Sequence, residues 1–289
     1  MAIDGLTIIG ESINDSIPST RKMFNDHDLE GILGLAKTQH RKGAAYIDVN
    51  IGNRSPDFMF DLVKRIQAAT SRPLAIDTPD FETASAGLDA YDQARADGQL
   101  PILNSISPLR PRLFDLYGRQ AFRPVLMISE RTEQNRHKPN KTAQETYQTA
   151  RDMLKLMKES GHDIPVTDCI LDTGIAPVGS DSEGQLKRVL DALGLIHNDP
   201  DFTGAHLSVG LSNFSIMLPP RRADGSPVKS ALESAFLSLA MPMGLDMIIG
   251  SVKRKYEILP DNHPALECLR DVINLGGFDA ITRVIQFYS

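Results

Sequence analysis

The sequence has no tryptophan, two cysteines in 289 residues, and no apolar run of the roughly 20 residues that a membrane-spanning helix needs. Cys169 and Cys268 stand far apart without CxxC or metal-ligand spacing, which argues against a disulfide framework or a zinc site. The first ten residues, MAIDGLTIIG, lack the positive region that opens a secretory signal. These absences predict a cytoplasmic protein.

The chain also lacks an excess of basic residues. Its 31 lysines and arginines are outnumbered by 37 acidic residues, so it offers no general basic face for a nucleic-acid backbone. Motifs for nucleotide binding and hydrolysis are missing, since the sequence contains no GxGxxG, GxxxxGK[ST], GxSxG or HExxH. We therefore expect no nucleic-acid or membrane partner, and nucleophilic catalysis is not indicated.

Eight short apolar runs recur along the chain. They lie at residues 6–10, 45–50, 73–77, 101–105, 124–129, 168–172, 206–211 and 245–250. Continuous runs of this kind suit strands that are buried on both faces of a parallel sheet. The segments between them have helical spacing, as in Met59, Leu62, Val63 and Ile66. This alternation predicts an α/β fold, a (β/α)8 TIM barrel forming one domain over residues 1–289, with a doubly wound open sheet as the alternative.

Carboxylate and amide side chains cluster at the predicted carboxyl ends of these strands. They are Glu11, Asn14, Asp48, Asn50, Asp77, Asn104, Asp172 and Asn213, the last ending the run SVGLSN. In a barrel those ends meet at one rim, where the fold places its chemistry. Any one of these residues could instead cap a helix or form an Asx-turn.

The residue types in this cluster indicate the kind of ligand. Aspartate accepts hydrogen bonds and asparagine both donates and accepts, which suits a flat heterocycle with N–H, NH2 and C=O groups along one edge. Magnesium or calcium is the alternative, because both prefer oxygen ligands. We predict no metal, since the carboxylates come from separate strands and no DxDxDG loop is present.

The ordered strand ends GESIN, YIDVNIG, AIDT, ILNS, ILDTGIAP and GLSN, followed by AFLSLAMPMGLDMIIG, resemble a known family. They are similar, over residues 6–250, to the pterin-binding methyltransferases that move a methyl group between N5 of tetrahydrofolate and a corrinoid cobalt. More distantly, they resemble the folate module of cobalamin-dependent methionine synthase and dihydropteroate synthase. The resemblance implies tetrahydrofolate or 5-methyltetrahydrofolate as substrate.

The resemblance also implies roles for individual residues. Asp77, Asn104 and Asp172 match the positions that bind the pterin edge, and Asn213 matches the asparagine that reaches N5. Gly210 and Ser212 beside it bring backbone close to the ring. The supporting floor of the site corresponds to Glu11, Asn14, Asp48 and Asn50.

The same resemblance implies a transient corrinoid protein as partner and a homodimer. The chain lacks the DxHxxG signature of a corrinoid domain, so the corrinoid is expected on another protein. The direction stays open, because the site could load a corrinoid protein or take methyl from one charged by a demethylase during O-demethylation. Two alternatives are a dihydropteroate synthase-like enzyme and a non-catalytic folate-binding barrel.

Three departures from the family pattern concern the partner. Ser12 stands where the family commonly has arginine, and Glu233-Ser234 replaces an Asn-Arg pair. The loop after Asn213, including residues 218–230, is several residues longer and carries Arg221 and Arg222. These two arginines are candidates for binding the folate tail or the partner, with a solvated loop as the alternative.

Overall fold

Eight parallel strands close into a barrel in the computed structural model, which describes residues 3–133 and 136–289. The barrel strands are β1 (Thr7–Asn14), β2 (Tyr46–Asn50), β3 (Leu74–Asp77), β4 (Ile102–Ile106), β5 (Arg123–Met127), β8 (Ile170–Asp172), β9 (His206–Gly210) and β10 (Leu245–Gly250). The first and last strands pair in parallel, with Thr7 opposite Met247 and Gly10 opposite Gly250. This pairing confirms the predicted barrel and excludes the open sheet.

Helices cover the outside of the barrel. They are α1 (Pro18–Asn25), α2 (Leu29–Arg41), α3 (Pro56–Ala69), α4 (Phe81–Ala90), α5 (Ala143–Glu159), α6 (Gln185–His197), α7 (Leu211–Phe214), α8 (Lys229–Ala240), α9 (Pro264–Asn274) and α10 (Gly277–Tyr288). Within the described residues, none of them combines the length and the apolar character needed to cross a bilayer.

Local sequence signals explain where the helices begin. Helix α3 starts at Pro56 after Ser55, whose hydroxyl accepts from the Phe58 N–H. Helix α5 starts with a reciprocal capping box between Thr142 and Glu145. The predicted apolar stripe of α3, including Met59 and Ile66, is fully buried against the sheet.

An apolar layer closes the bottom of the barrel. It is formed by Ile9, Tyr46, Ala75, Ile102, Val125, Ile170 and Met247, one residue from each of seven strands. Side chains alternate between the two faces of a strand, so the residue two positions later points into the barrel again. These next positions are Glu11, Asp48, Asp77, Asn104, Met127, Asp172 and Ile249. The period of two therefore places a mainly polar layer directly above the apolar one.

Three features differ from the sequence prediction. Strand β1 continues through Glu11 to Asn14, because after a register shift Ile13 pairs with Val49 and Asn14 with Asn50. The prediction that the seventh barrel strand ends at Asn213 is wrong, since β9 ends at Gly210 and Asn213 lies in α7. An antiparallel hairpin of β6 (Glu130–Glu133) and β7 (Arg136–Pro139), which the sequence analysis did not predict, follows β5.

Candidate functional site

A cavity of about 580 Å³ opens at the carboxyl end of the barrel. Its wall includes Glu11, Asn14, Asp48, Asp77, Asn104, Met127, Asp172, Ile175, Gly210, Ser212, Asn213, Ile216, Lys229 and Ile249. Its volume falls in the range of about 300–1,000 Å³ that is usual for small-molecule sites. Nine of the twelve predicted site residues thus face one space.

The structure brings most of the predicted residues together and leaves three outside the wall. Asn50 lies behind the wall, where its Nδ2 donates to Asp77 Oδ2 at 3.0 Å. Arg221 and Arg222 are also outside it: Arg221 Nη1 donates to the Gly225 carbonyl at 2.7 Å, and the Arg222 guanidinium carbon lies 3.9 Å from the Phe287 ring centre.

Two carboxyl groups, Asp48 and Asp77, share the floor of the cavity. Asn104 Nδ2 donates to Asp48 Oδ1 at 3.2 Å, and the carboxyl groups of Asp48 and Asp77 lie within hydrogen-bonding reach of each other. Burial raises the pKa of both carboxyl groups, and the negative charge of Asp77 raises that of Asp48 further. The pair therefore retains a proton more readily than two exposed carboxylates, and we place it on Asp48.

A third carboxyl group, Asp172, is held by a neighbour in the loop after β8 and by a residue of the adjacent strand β9. The Gly174 N–H donates to its Oδ1 at 2.7 Å, and Ser208 Oγ donates to its Oδ2 at 3.0 Å. Burial raises the pKa of Asp172 to about 6 in spite of these hydrogen bonds. Arg188, which sequence reasoning missed, donates to the carbonyls of Thr173 and Gly174 and so fixes the loop behind Asp172. At neutral pH Asp172 is an oriented acceptor.

The short helix α7 carries Asn213 on the cavity wall. Ser212 Oγ donates to Glu11 Oε2 at 2.8 Å, which joins α7 to β1. A β-carbon at Gly210 would lie 3.0 Å from Asn213 Nδ2, so the glycine leaves room for the amide group. Burial raises the pKa of Glu11 as well.

Two of the predicted asparagines also stabilise turns. Asn14 Oδ1 accepts from the backbone N–H of Ser16 at 2.8 Å and from its hydroxyl at 2.6 Å. Asn50 Oδ1 accepts from the Gly52 N–H at 2.9 Å. The turn-forming interpretation of these two residues therefore applies together with their position at the site.

Sequence reasoning missed the apolar and the basic parts of the wall. Met127 and Ile249 lie two positions after residues of the apolar barrel layer, so the alternation could have identified them. Lys229 is the one basic side chain on the wall among the described residues. It lies 16 positions after Asn213 in the chain. No local sequence pattern predicts that the intervening loop folds so that Lys229 lies at the cavity.

This arrangement suits a flat polar ring. The carboxyl groups of Asp77 and Asp172 offer acceptors, and the amides of Asn104 and Asn213 offer both a donor and an acceptor. Met127, Ile175 and Ile249 provide apolar surface for the ring faces. A planar heterocycle with a hydrogen-bonding edge fits this combination.

Comparison with known proteins assigns the family. The pterin binding enzyme family matches residues 13–250, so the chain belongs to that family. The methylcorrinoid:tetrahydrofolate methyltransferase of Eubacterium limosum is 27% identical over 259 residues, which cover 84% of this chain and 84% of that protein. The resemblance found in the sequence is thereby confirmed at the level of the family.

Solved structures with the same fold include two dihydropteroate synthases. The enzyme of Yersinia pestis, solved with a pterin-sulfa conjugate, has 14% identity, a TM-score of 0.57 and coverage of 98% of this chain and 95% of that chain. The enzyme of Thermus thermophilus has 16% identity, a TM-score of 0.54 and coverage of 95% and 93%. At these identities the likeness concerns the fold alone.

Proposed function

We propose that this protein transfers a methyl group between N5 of tetrahydrofolate and the cobalt of a corrinoid carried by a separate protein. The observation that carries the proposal is Asn213, which lies on the wall of a cavity together with Asp77, Asn104 and Asp172. The relative from Eubacterium limosum, a methylcorrinoid:tetrahydrofolate methyltransferase, supports both substrates.

The ring of the folate would bind at the polar layer of the barrel. Asp77 and Asp172 would accept hydrogen bonds from the N–H groups of the pterin. The Asn104 amide would pair with an adjacent donor and acceptor on the same edge of the pterin. Buried polar groups are stable when their hydrogen bonds are completed, and Asp48 would support this layer through its contacts with Asn104 and Asp77.

Asn213 would then act at N5. Methylated N5 is a poor leaving group until it gains positive character, so a donor that strengthens toward the transition state accelerates the transfer to a cobalt nucleophile. In the opposite direction N5 would attack the methyl carbon, the cobalt would leave as Co(I) with the bonding electrons, and the N5 proton would pass to solvent. The same amide can accept a hydrogen bond from N5–H before that proton leaves. A carboxylate could not donate at neutral pH, and a lysine would repel a protonated amine.

The partner and the setting form part of the proposal. The corrinoid protein would approach the open rim transiently, in the cytoplasm, and the methyltransferase would work as a homodimer. We favour the direction from methylcorrinoid to tetrahydrofolate, because the Eubacterium limosum relative is named for that direction. The loop 218–230 lies beside α8, whose first residue lines the cavity, and would face the partner.

The substitution Asn213→Ala tests the assignment of Asn213. With tetrahydrofolate and free methylcobalamin we expect the rate to fall about 100-fold, since loss of a group that stabilises developing charge costs on that order. Folate affinity, measured by calorimetry, should stay within about threefold because the pterin edge keeps its partners. Asn198→Ala, at an asparagine outside the cavity, serves as the control and should retain the wild-type rate.

Two assays separate this proposal from its alternatives. A dihydropteroate synthase-like enzyme would release pyrophosphate from p-aminobenzoate and the pterin pyrophosphate. A non-catalytic barrel would bind tetrahydrofolate without changing the cobalt absorption spectrum. Either result in the wild-type protein, in place of methyl transfer, contradicts the proposal.

A further inference from the structure

Glu233 is a carboxyl group inside helix α8 that does not line the cavity. Its side chain is fully buried, and Ser215 Oγ donates to its Oε1. Arg254 Nε lies 3.0 Å from Oε2 and forms an ion pair with it. Burial, only partly offset by Ser215 and Arg254, raises the pKa of Glu233 to about 7. Because water does not solvate this carboxyl group, its presence at position 233 requires another explanation.

The partner of Glu233 belongs to the turn that carries Asn213. Ser215 follows directly on α7 and is its C-cap residue. On the other side of Asn213, Ser212 donates to Glu11. Asn213 therefore lies between two serines, and each serine is hydrogen-bonded to a glutamate from a different element, the partly buried Glu11 of β1 or the buried Glu233 of α8.

Helix α7 depends on such external contacts. It has four residues, and a single turn of helix is unstable by itself because few backbone hydrogen bonds offset the ordering of the chain. Phe214 packs against Phe236 of α8, with 5.1 Å between the two ring centres. This contact fixes one side of the turn but does not determine how the turn is rotated about its own axis. The hydrogen bonds to Glu11 and Glu233 provide that directional constraint.

We propose that Glu233 is a positioning residue that holds the Ser212–Ser215 turn so that the Asn213 amide meets N5. This inference rests on the proposed methyl transfer. A buried ion pair contributes little net stability compared with apolar side chains of similar volume, so stability alone does not account for a carboxyl group at this position. A fixed acceptor for the Ser215 hydroxyl does account for it.

The test uses Glu233→Ala, Glu233→Gln and Ser215→Ala in the full chain, with tetrahydrofolate and methylcobalamin. We expect Glu233→Ala and Ser215→Ala to lower kcat about 10- to 100-fold, because displacement of a catalytic group by about 1 Å can cost that much. The KM for tetrahydrofolate should change less than about threefold, since the Asn213 contact strengthens mainly in the transition state.

Conservative rescue and coupling sharpen the test. Glu233→Gln keeps an oxygen that accepts from Ser215 and should stay within about threefold of the wild-type kcat. The double variant Ser215→Ala/Glu233→Ala should be no slower than the worse single variant, because both remove the same contact. Additive losses would contradict a shared role, and a Gln variant as slow as the Ala variant would contradict the acceptor role.

The matched control is Ser238→Ala. Ser238 lies on the same helix, and its hydroxyl accepts from the Leu259 N–H at 2.8 Å, away from Asn213. This variant should have a lower melting temperature and the wild-type kcat.

The positioning role is wrong if Glu233→Ala keeps the wild-type kcat. It is also wrong if Glu233→Ala and Ser238→Ala both lose kcat in proportion to their loss of melting temperature. Should Glu233→Ala fail to fold, Ser215→Ala decides alone. An inactive wild-type protein would overturn the proposed function and this role with it, whereas an active wild type with unaffected variants overturns only the role.

Discussion

The polar layer of the barrel consists of side chains whose hydrogen-bonding partners already orient them. Asp172 is held by Gly174 and Ser208, and Asp77 is held by Asn50. Groups that are oriented before the ligand arrives lose little rotational freedom on binding, which preserves affinity. At the residue scale the proposed pterin-binding edge is therefore preorganised.

Gly210 gives a direct test of how much room Asn213 requires. The backbone of Gly210 has φ −76°, which any residue adopts, so alanine causes no backbone strain there. Its β-carbon would lie 3.0 Å from Asn213 Nδ2 and would displace the amide. We expect Gly210→Ala to reduce kcat about tenfold or more in the methylcobalamin assay, with a change in unfolding free energy below about 1 kcal/mol.

The control for Gly210→Ala is Gly34→Ala, because a β-carbon at Gly34 meets no other atom within 4 Å. Gly34 lies in α2, where alanine is the better helix former, so this variant should be slightly stabilised and fully active. A Gly210→Ala protein with the wild-type kcat would show that the Asn213 amide needs no such space.

At the scale of elements, helical and strand periods predict what is long and regular. The eight barrel strands and the stripe of α3 follow from apolar runs and from 3.6-residue spacing. Helix α7 does not, because four residues contain barely one turn and Val209 and Leu211 alternate as they would in a continuing strand. The strands β6 and β7 are polar and exposed on most of their length, so no apolar pattern predicts them.

The two arginines of the loop 218–230 contact different parts of the structure. Arg222 lies over Phe287 of α10, whereas the Arg221 side chain donates to the Gly225 carbonyl within the loop. We expect Arg222→Ala to lower the unfolding free energy by about 1 kcal/mol through loss of the cation–π contact, and Arg221→Ala to leave it unchanged. Thermal unfolding measures both.

The same two variants test the proposed docking of the corrinoid protein. With free methylcobalamin, both should transfer methyl at the wild-type rate. With a corrinoid protein as substrate, Arg221→Ala should raise the KM severalfold at low salt and less at high salt, because exposed charges are screened. If Arg221→Ala and the wild type have equal KM values at both salt concentrations, the loop is exposed to solvent and does not bind the partner.

At the scale of the whole molecule, buried carboxyl groups determine how stability depends on pH. Glu11, Asp48, Asp77, Asp172 and Glu233 all have raised pKa values, chiefly through burial. Asp80, Glu145 and Asp199 have lowered pKa values, chiefly through hydrogen bonds that their carboxylates accept. The two sets act in different pH ranges, because the first titrates above and the second below the ordinary range for carboxyl groups.

The raised set makes the folded state bind more protons than the unfolded state between about pH 4 and pH 7, so stability falls as pH rises through this range. For Glu233, the shift from 4.5 to about 7 corresponds to a change on the order of 3 kcal/mol. We therefore expect the melting temperature to be several degrees higher at pH 5.5 than at pH 8, before the lowered set destabilises the fold below about pH 4. Asp172→Asn should flatten the curve between about pH 4 and pH 6, and Glu233→Gln should flatten it up to about pH 7. A melting temperature that stays constant or rises from pH 5.5 to pH 8 would show that these carboxyl groups are ionised in the folded protein without cost.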